Sequence, residues 1–127
     1  MPNETEAKPT ILHVCTRETL RPIRDEVLRV NGFVVSSTMA HGEALSMFRA
    51  NKYDVVLVDV EGESGVEAAE KLCSEVKREN KEQLVGFVCN WRVAVQSNCP
   101  DEIVRTEFSP EAFVEGVRAI LSPNLNQ

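Results

Sequence analysis

The stretch that most constrains the fold is the run Asp-Val-Val-Leu-Val-Asp at residues 54–59. Its core, Val55–Val58, is continuous, apolar and rich in valine, which is typical of a strand buried on both faces in the middle of a parallel sheet. Asp59 follows directly and therefore lies at the carboxyl end of that strand. In open α/β sheets this edge is where ligands bind and chemistry occurs. The sequence thus predicts a central strand with Asp59 as its candidate functional residue.

The rest of the chain alternates between short strands and helices. We expect strands at 10–14, 33–35, 54–58, 84–88 and 103–105, and helices at 17–30, 41–50, 66–77, 91–97 (a shortened fourth helix) and 109–121. Such alternation indicates a parallel sheet with helices on both faces. Because crossovers are right-handed, the best match is a (βα)₅ flavodoxin-like three-layer sandwich with strand order 2-1-3-4-5. That order opens a crevice at the strand ends that carry Cys15 and Asp59.

Local signals mark the ends of two helices. In the first helix, Thr19 is the expected N-cap, Pro22 fits the first turn, and Gly32 is the expected left-handed residue after the end. In the last helix, Ser109 is the expected N-cap and Pro110 the first helical residue. The apolar stripe of the first helix is expected to comprise Leu20, Ile23, Val27, Leu28 and Val30.

Length and composition limit the class of protein. The 127 residues suit one domain, which we place at 10–122 between a disordered tail at 1–9 and a short tail at 123–127. The formal net charge of −6 argues against direct binding to nucleic acid or to an anionic membrane. The polar start of the chain does not resemble an export signal, so we expect a cytoplasmic protein. Its four cysteines, which lack metal-ligand spacing, are accordingly expected to be reduced thiols.

Five segments resemble the receiver domain of bacterial two-component response regulators. They are "TILHV" as the first strand, "NGFVV" as a helix end with the second strand, "YDVVLVD" as the third strand, "GVEAAEKL" opening the third helix, and "FSPEAFVEGVRAI" as the last helix. The resemblance covers about residues 10–122. It implies that Asp59 stands where receivers accept a phosphoryl group from a histidine kinase. It also implies that Mg²⁺, held by two acidic residues after the first strand, and a lysine after the fifth strand would neutralise the charge.

The sequence departs from the family pattern around Asp59. The acidic pair falls on Cys15 and Thr16, which are poor ligands for Mg²⁺. The lysine falls on Thr106, and the hydroxyl residue that senses phosphorylation falls on Cys89. The aromatic residue of the fifth strand falls on Ile103. We therefore expect an atypical receiver in which phosphorylation is lost or very weak and which needs no cofactor.

An atypical receiver of this kind is expected to act by protein–protein contact and not as an enzyme. Its partner would be a histidine kinase or another signalling protein, and homodimerisation stays open. The best-placed surface combines the exposed side of 109–121 with four residues near the fourth and fifth strands: Trp91, Arg92, Ile103 and Arg105.

Two alternatives belong to other functional classes. The first is a working phosphoacceptor at Asp59 that draws its metal or charge from Glu61 or Glu63, in which case Mg²⁺ would be a cofactor. The second is a thiol-redox or small-molecule sensor in the crevice of Cys15, Asp59 and Cys89. Two strand spacings of about 4.8 Å separate those cysteines, too far for an unstrained disulfide, so buried unreactive thiols are the expected state.

The two histidines, His13 and His41, lie in no catalytic or zinc-binding pattern. His13 falls inside the first strand and His41 near a helix start, so we expect packing and surface roles for them.

Overall fold

The computed structural model describes residues 8–62, 65–89, 98–105 and 109–121. The described elements are β1 (Thr10–Val14), α1 (Leu20–Val30), β2 (Val34–Thr38), α2 (His41–Ala50), β3 (Val55–Asp59), α3 (Val66–Glu79), β4 (Leu84–Cys89), β5 (Glu102–Arg105) and α4 (Pro110–Leu121). Within these ranges, no helix is both long enough and apolar enough to cross a membrane. The expected helix at 91–97 and the residues Trp91, Arg92 and Thr106 lie outside the described part of the chain.

The five strands form one parallel sheet in the order β2-β1-β3-β4-β5, which confirms the predicted flavodoxin-like topology. The register places Val14 beside Val58 and Asp59 beside Val88. The ends of β1, β3 and β4 therefore meet at one edge of the sheet. All five residues of β3 are buried, as a central strand requires.

A hydrophobic core covers each face of the sheet, so the molecule is the predicted three-layer sandwich. On one face, side chains such as Val56 and Phe87 pack with residues of α2 and α3. On the other face, Leu57 and Val88 pack with residues of α1 and α4. Successive side chains of β3 point to opposite faces of the sheet, so Val56 and Leu57 pack in different cores. Asp59 is two residues after Leu57 and therefore points to the same face as Leu57.

Helix α1 differs from the sequence prediction at its start and on its buried face. It begins at Leu20 and not at 17, and Thr19 makes no capping hydrogen bond through its side chain. The expected apolar stripe was wrong at Ile23 and Val30, which are 60% and 70% exposed, whereas Leu28 is buried and Val27 packs beside it. The face turned to the sheet carries Asp25 and Leu28. The reason lies in β1, where a buried histidine requires a polar partner from the helix above it.

The other helix ends follow the predicted turn chemistry. Gly32 follows α1 with φ +98°, a left-handed conformation that favours glycine. Pro22 lies in the first turn of α1, as expected. At the start of α4, Ser109 Oγ accepts a hydrogen bond from the Ala112 backbone N–H at 3.2 Å, which confirms the predicted N-cap.

The cysteines correct one expectation. Cys15 and Cys89 are free and buried, as predicted. Cys73 and Cys99, however, form a disulfide, so the expectation of four reduced thiols was wrong. The two residues are 26 positions apart in sequence, and the fold brings α3 against the segment that leads into β5. Neither has a sequence signature that identifies the other as its partner.

Gly116 tests how tightly α4 packs on β5. A Cβ at this position would lie 2.6 Å from Val104 Cγ1, a branched side chain with little freedom to move. We expect Gly116→Ala to lower the free energy of unfolding by about 1–2 kcal/mol, in spite of alanine's higher helix propensity. Gly42→Ala is the matched control, because no atom lies within 4 Å of its added Cβ. Urea unfolding should show Gly42→Ala to be neutral or stabilising, and equal effects at both positions would contradict this packing.

Candidate functional site at the carboxyl end of the central strand

Two arginines bind the carboxylate of Asp59. The side chain of Asp59 is fully buried. Arg17 Nε and Nη2 donate to its Oδ2 at 3.3 and 3.2 Å, and Arg24 Nη1 donates to its Oδ1. Both carboxylate oxygens therefore have a guanidinium partner, and the charge of Asp59 is balanced within the protein. We call Asp59, Arg17 and Arg24 the arginine clamp.

Helix α1 and the residues just before it position the two arginines. Arg17 precedes the helix and its side chain is 37% exposed, whereas the side chain of Arg24 is 12% exposed. The Arg24 guanidinium also lies 5.7 Å from the centroid of the Phe113 ring on α4, at cation–π distance. Arg24 is thus held between the carboxylate and an aromatic ring, and it is the less exposed member of the clamp.

The arginine clamp places positive charge beside Asp59, although the family's lysine is replaced in this sequence. A signal for it was present in the sequence, since Arg17, Arg21 and Arg24 recur at spacings of four and three, as residues on one side of a helix do. Leu28 continues the same spacing. A charged stripe of this kind is ordinarily exposed to solvent. That two of these arginines bind Asp59 follows only from the structure, where the buried carboxylate lies beside them.

The positions that replace the family's acidic pair are occupied by weak metal ligands. Burial, followed by the charge of Asp59, raises the pKa of the Cys15 thiol. Cys15 Sγ also lies 3.8 Å from the backbone carbonyl of Arg17, to which it donates. Thr16 Oγ1 donates to Glu61 Oε1 at 3.2 Å, so Thr16 and Glu61 contact each other at the exposed rim.

These residues do not fit Mg²⁺. A hard cation requires several oxygen ligands, whereas this edge offers a protonated thiol, a neutral hydroxyl and the Asp59 carboxylate, whose two oxygens already accept arginine hydrogen bonds. Glu61 adds one carboxylate at the exposed rim, where it accepts a hydrogen bond from Thr16. Within residues 8–62, 65–89, 98–105 and 109–121, no group of three or more His, Cys, Asp or Glu residues is arranged to hold a metal ion.

Cys89 ends β4 near Asp59 but faces the other core. It packs with the side chains of the α2 and α3 face, and burial raises the pKa of its thiol. Its strand partner on β5 is Arg105. Of the predicted partner surface, Ile103 and Arg105 are both partly buried on β5, which is an edge strand of the described sheet.

A second buried polar cluster lies beside the arginine clamp. His13, on β1, is fully buried, and its Nδ1 donates to Asp25 Oδ1 at 2.8 Å. Ser37 Oγ donates to Asp25 Oδ2 at 2.7 Å, and Arg21 Nη1 approaches the same oxygen at 3.3 Å. Burial alone would raise the pKa of Asp25, but the hydrogen bonds from His13 and Ser37 outweigh it and lower that pKa below its ordinary value. A histidine inside an apolar strand is the one feature of the sequence that hints at this pairing.

Five parallel strands in the order 2-1-3-4-5, helices on both faces and an aspartate at the end of the third strand make up the fold of response regulator receiver domains. Solved structures with this fold match the chain closely in shape. No protein-family model and no curated protein sequence matches it.

Three of these solved structures illustrate the similarity in shape and in sequence. The response regulator TrrA of Thermotoga maritima, solved with Mg²⁺-BeF, is 26% identical, with a TM-score of 0.75 over 89% of this chain and 99% of that one. A structure of TrrA with the histidine kinase ThkA gives 25% identity and a TM-score of 0.74, covering 90% and 99%. The chemotaxis protein CheY4 of Vibrio cholerae is 18% identical, with a TM-score of 0.76, covering 91% and 100%.

Proposed function

We propose that this chain is an atypical receiver, spanning residues 10–122, that acts by protein–protein contact and is not switched by the usual Mg²⁺-dependent phosphorylation. The arginine clamp is the observation that carries the proposal. Both oxygens of Asp59 accept hydrogen bonds from guanidinium groups, so positive charge already neutralises the acceptor. A receiver whose acceptor is neutralised in this way has one signalling state.

The partner we propose is a histidine kinase or another protein of a two-component pathway, met in the cytoplasm. The likeness to TrrA, which has been solved with its kinase ThkA, supports this class of partner. Ile103 and Arg105 lie on an edge strand next to α4, whose outer side exposes Glu111, Glu115 and Arg118. Trp91 and Arg92, which lie outside the described residues, remain part of the predicted surface.

A second candidate function is phosphorylation supported by the arginines themselves. Guanidinium groups bind phosphate oxygens well, because their donors match the geometry of the anion. Arg17 is partly exposed, so it could turn from Asp59 to an incoming phosphoryl group. In this case Asp59 would be a phosphoacceptor that does not depend on Mg²⁺.

A redox sensor built on Cys15 and Cys89 has less support. Both thiols are fully buried and free. Burial raises the pKa of each thiol, which lowers the fraction present as the reactive thiolate.

Labelling with acetyl phosphate separates these functions. The whole chain is incubated with acetyl phosphate, with Mg²⁺ in one series and with EDTA in the other, and its intact mass is measured. We expect no phosphoryl adduct in either series. Asp59→Asn is the control that distinguishes an adduct on Asp59 from one elsewhere, and TrrA serves as the positive control.

The two alternative results each have a defined meaning. A stoichiometric adduct that requires Mg²⁺ and disappears in Asp59→Asn would overturn the proposal and restore ordinary receiver chemistry. An adduct that also forms in EDTA and is lost in Arg17→Ala would establish the arginine-supported phosphoacceptor instead.

A further inference from the structure

Helix α3 holds residues 98–101, the segment before β5, at two points. Cys73 is bonded to Cys99, with 6.3 Å between their Cα atoms, which lies within the range that a disulfide normally spans. One turn further along the helix, Lys77 Nζ donates to Asp101 Oδ2 at 2.7 Å. Cys73 and Lys77, four positions apart on the helix, therefore hold two residues of the segment, Cys99 and Asp101.

The attachment at Asp101 does not depend on the disulfide. The Asp101 carboxylate accepts a hydrogen bond from the Val85 backbone N–H at 2.8 Å, and the Asp101 N–H donates to the Val85 carbonyl at 2.7 Å. These bonds, together with Lys77, fix the start of β5 against β4 and α3. Breaking the disulfide would therefore remove one of the two attachments and leave the segment held through Asp101 alone.

The two sulfur atoms of the disulfide differ in access. Cys73 is fully buried in the core of the α2 and α3 face, whereas Cys99 is partly exposed at its edge. Cys15 and Cys89, by contrast, are both fully buried and remain free. Among the cysteines, Cys99 is thus the one that a thiol from solution can reach.

We propose that Cys73 and Cys99 form a reversible thiol–disulfide site that controls how the segment before β5 is held on α3. Its exchange partners are dithiol reductants and the corresponding disulfides. The inference rests on the proposed function in one respect, the cytoplasmic setting, where disulfides are usually transient and redox-sensing. Cys99 precedes Ile103 and Arg105 by four and six residues, so the site would act on the proposed partner surface.

The exchange follows ordinary thiol chemistry. A thiolate of the reductant attacks Cys99 Sγ, the Cys73–Cys99 bond breaks, and Cys73 leaves as a thiolate that takes up a proton. The second thiol of the reductant then attacks the mixed disulfide and releases Cys99 as a thiol. Two electrons pass to the protein and the reductant becomes a disulfide. Oxidation by a disulfide of the same class reverses both steps.

The test uses the whole chain at equilibrium with mixtures of reduced and oxidised dithiothreitol. Free thiols are alkylated and counted by mass after denaturation. We expect two thiols to change together and reversibly in the wild type and in Cys15→Ala/Cys89→Ala, and no such pair in Cys73→Ser or Cys99→Ser. Hydrogen–deuterium exchange in residues 98–105 should rise on the order of tenfold on reduction, while exchange in α1 stays unchanged.

Three results would overturn the proposal. Four free thiols in the oxidised protein would mean that the bond does not form. A bond that the dithiol cannot reduce in the folded protein would show that Cys99 is not accessible. Reduction without faster exchange in residues 98–105 would show that the disulfide does not control how the segment is held. The exchange comparison needs no substitution, so a variant that fails to fold does not prevent it, and the thiol count is independent of phosphoryl labelling at Asp59.

Discussion

Arg24→Ala is expected to lower the free energy of unfolding by about 3 kcal/mol, measured by urea denaturation at neutral pH. The reason is that removal of Arg24 takes the guanidinium partner from Asp59 Oδ1, so only the more exposed Arg17 still balances the buried carboxylate. Asp59 is fully buried, and Arg24 is its less exposed partner. The substitution also removes the contact of the guanidinium with the Phe113 ring.

Two further variants show whether this loss comes from the carboxylate. Arg17→Ala is the matched control, because its side chain is 37% exposed and its loss should cost only about 1 kcal/mol. Asp59→Asn in the Arg24→Ala background removes the buried charge that Arg17 alone balances poorly, and it should recover more than half of the lost stability. Strictly additive effects of Arg24→Ala and Asp59→Asn would show that the two side chains are not coupled.

Asp25→Ala is expected to destabilise the protein by about 3 kcal/mol as well, again by urea denaturation. Its carboxylate accepts hydrogen bonds from His13 and Ser37 inside the protein. Without it, the fully buried His13 loses its partner, and His13 Nε2 already has none among the described residues. Glu26→Ala is the control: Glu26 is the next residue but is exposed, so its effect should stay within about 0.5 kcal/mol.

The same carboxylate makes the stability of the protein sensitive to acid. The pKa of Asp25 is lower in the folded chain than its ordinary value. Its contribution is therefore present above the unfolded pKa of about 3.9 and is lost as the pH falls through the folded pKa. The difference in stability between wild type and Asp25→Ala should be smaller at about pH 3 than at pH 7. A difference that does not change with pH would contradict the assigned role of the carboxylate.

The fold could be predicted largely from local patterns. The continuous apolar run before Asp59 specified a central buried strand, and alternating elements with short connections left few topologies. The errors occurred where tertiary contacts override periodicity. The apolar residues Ile23 and Val30 of α1 are exposed because the buried face of that helix carries Asp25, which the buried His13 requires.

The position of the candidate site could be predicted from the sequence, but the side chains that bind Asp59 could not. The position of Asp59 followed from the end of a strand, and its poor metal ligands followed from the residues at 15 and 16. Its counter-charges come from a helix whose arginines look solvated in the sequence, and they are separated from Asp59 by 42 and 35 residues. The Cys73–Cys99 bond was equally hidden, because it depends on how α3 meets the segment before β5.

The buried carboxylates of Asp25 on α1 and Asp59 on β3 meet their partners at different times during synthesis. Asp25 finds His13 and Ser37 within twelve residues on either side, so the unit β1–α1–β2 can satisfy it before β3 leaves the ribosome. Arg17 and Arg24 stay hydrated until Asp59 arrives. Because the N-terminal part of the chain is synthesised first, helix α1 is expected to contact β1 and β2 through Asp25 before the central strand is inserted and Asp59 reaches its arginines.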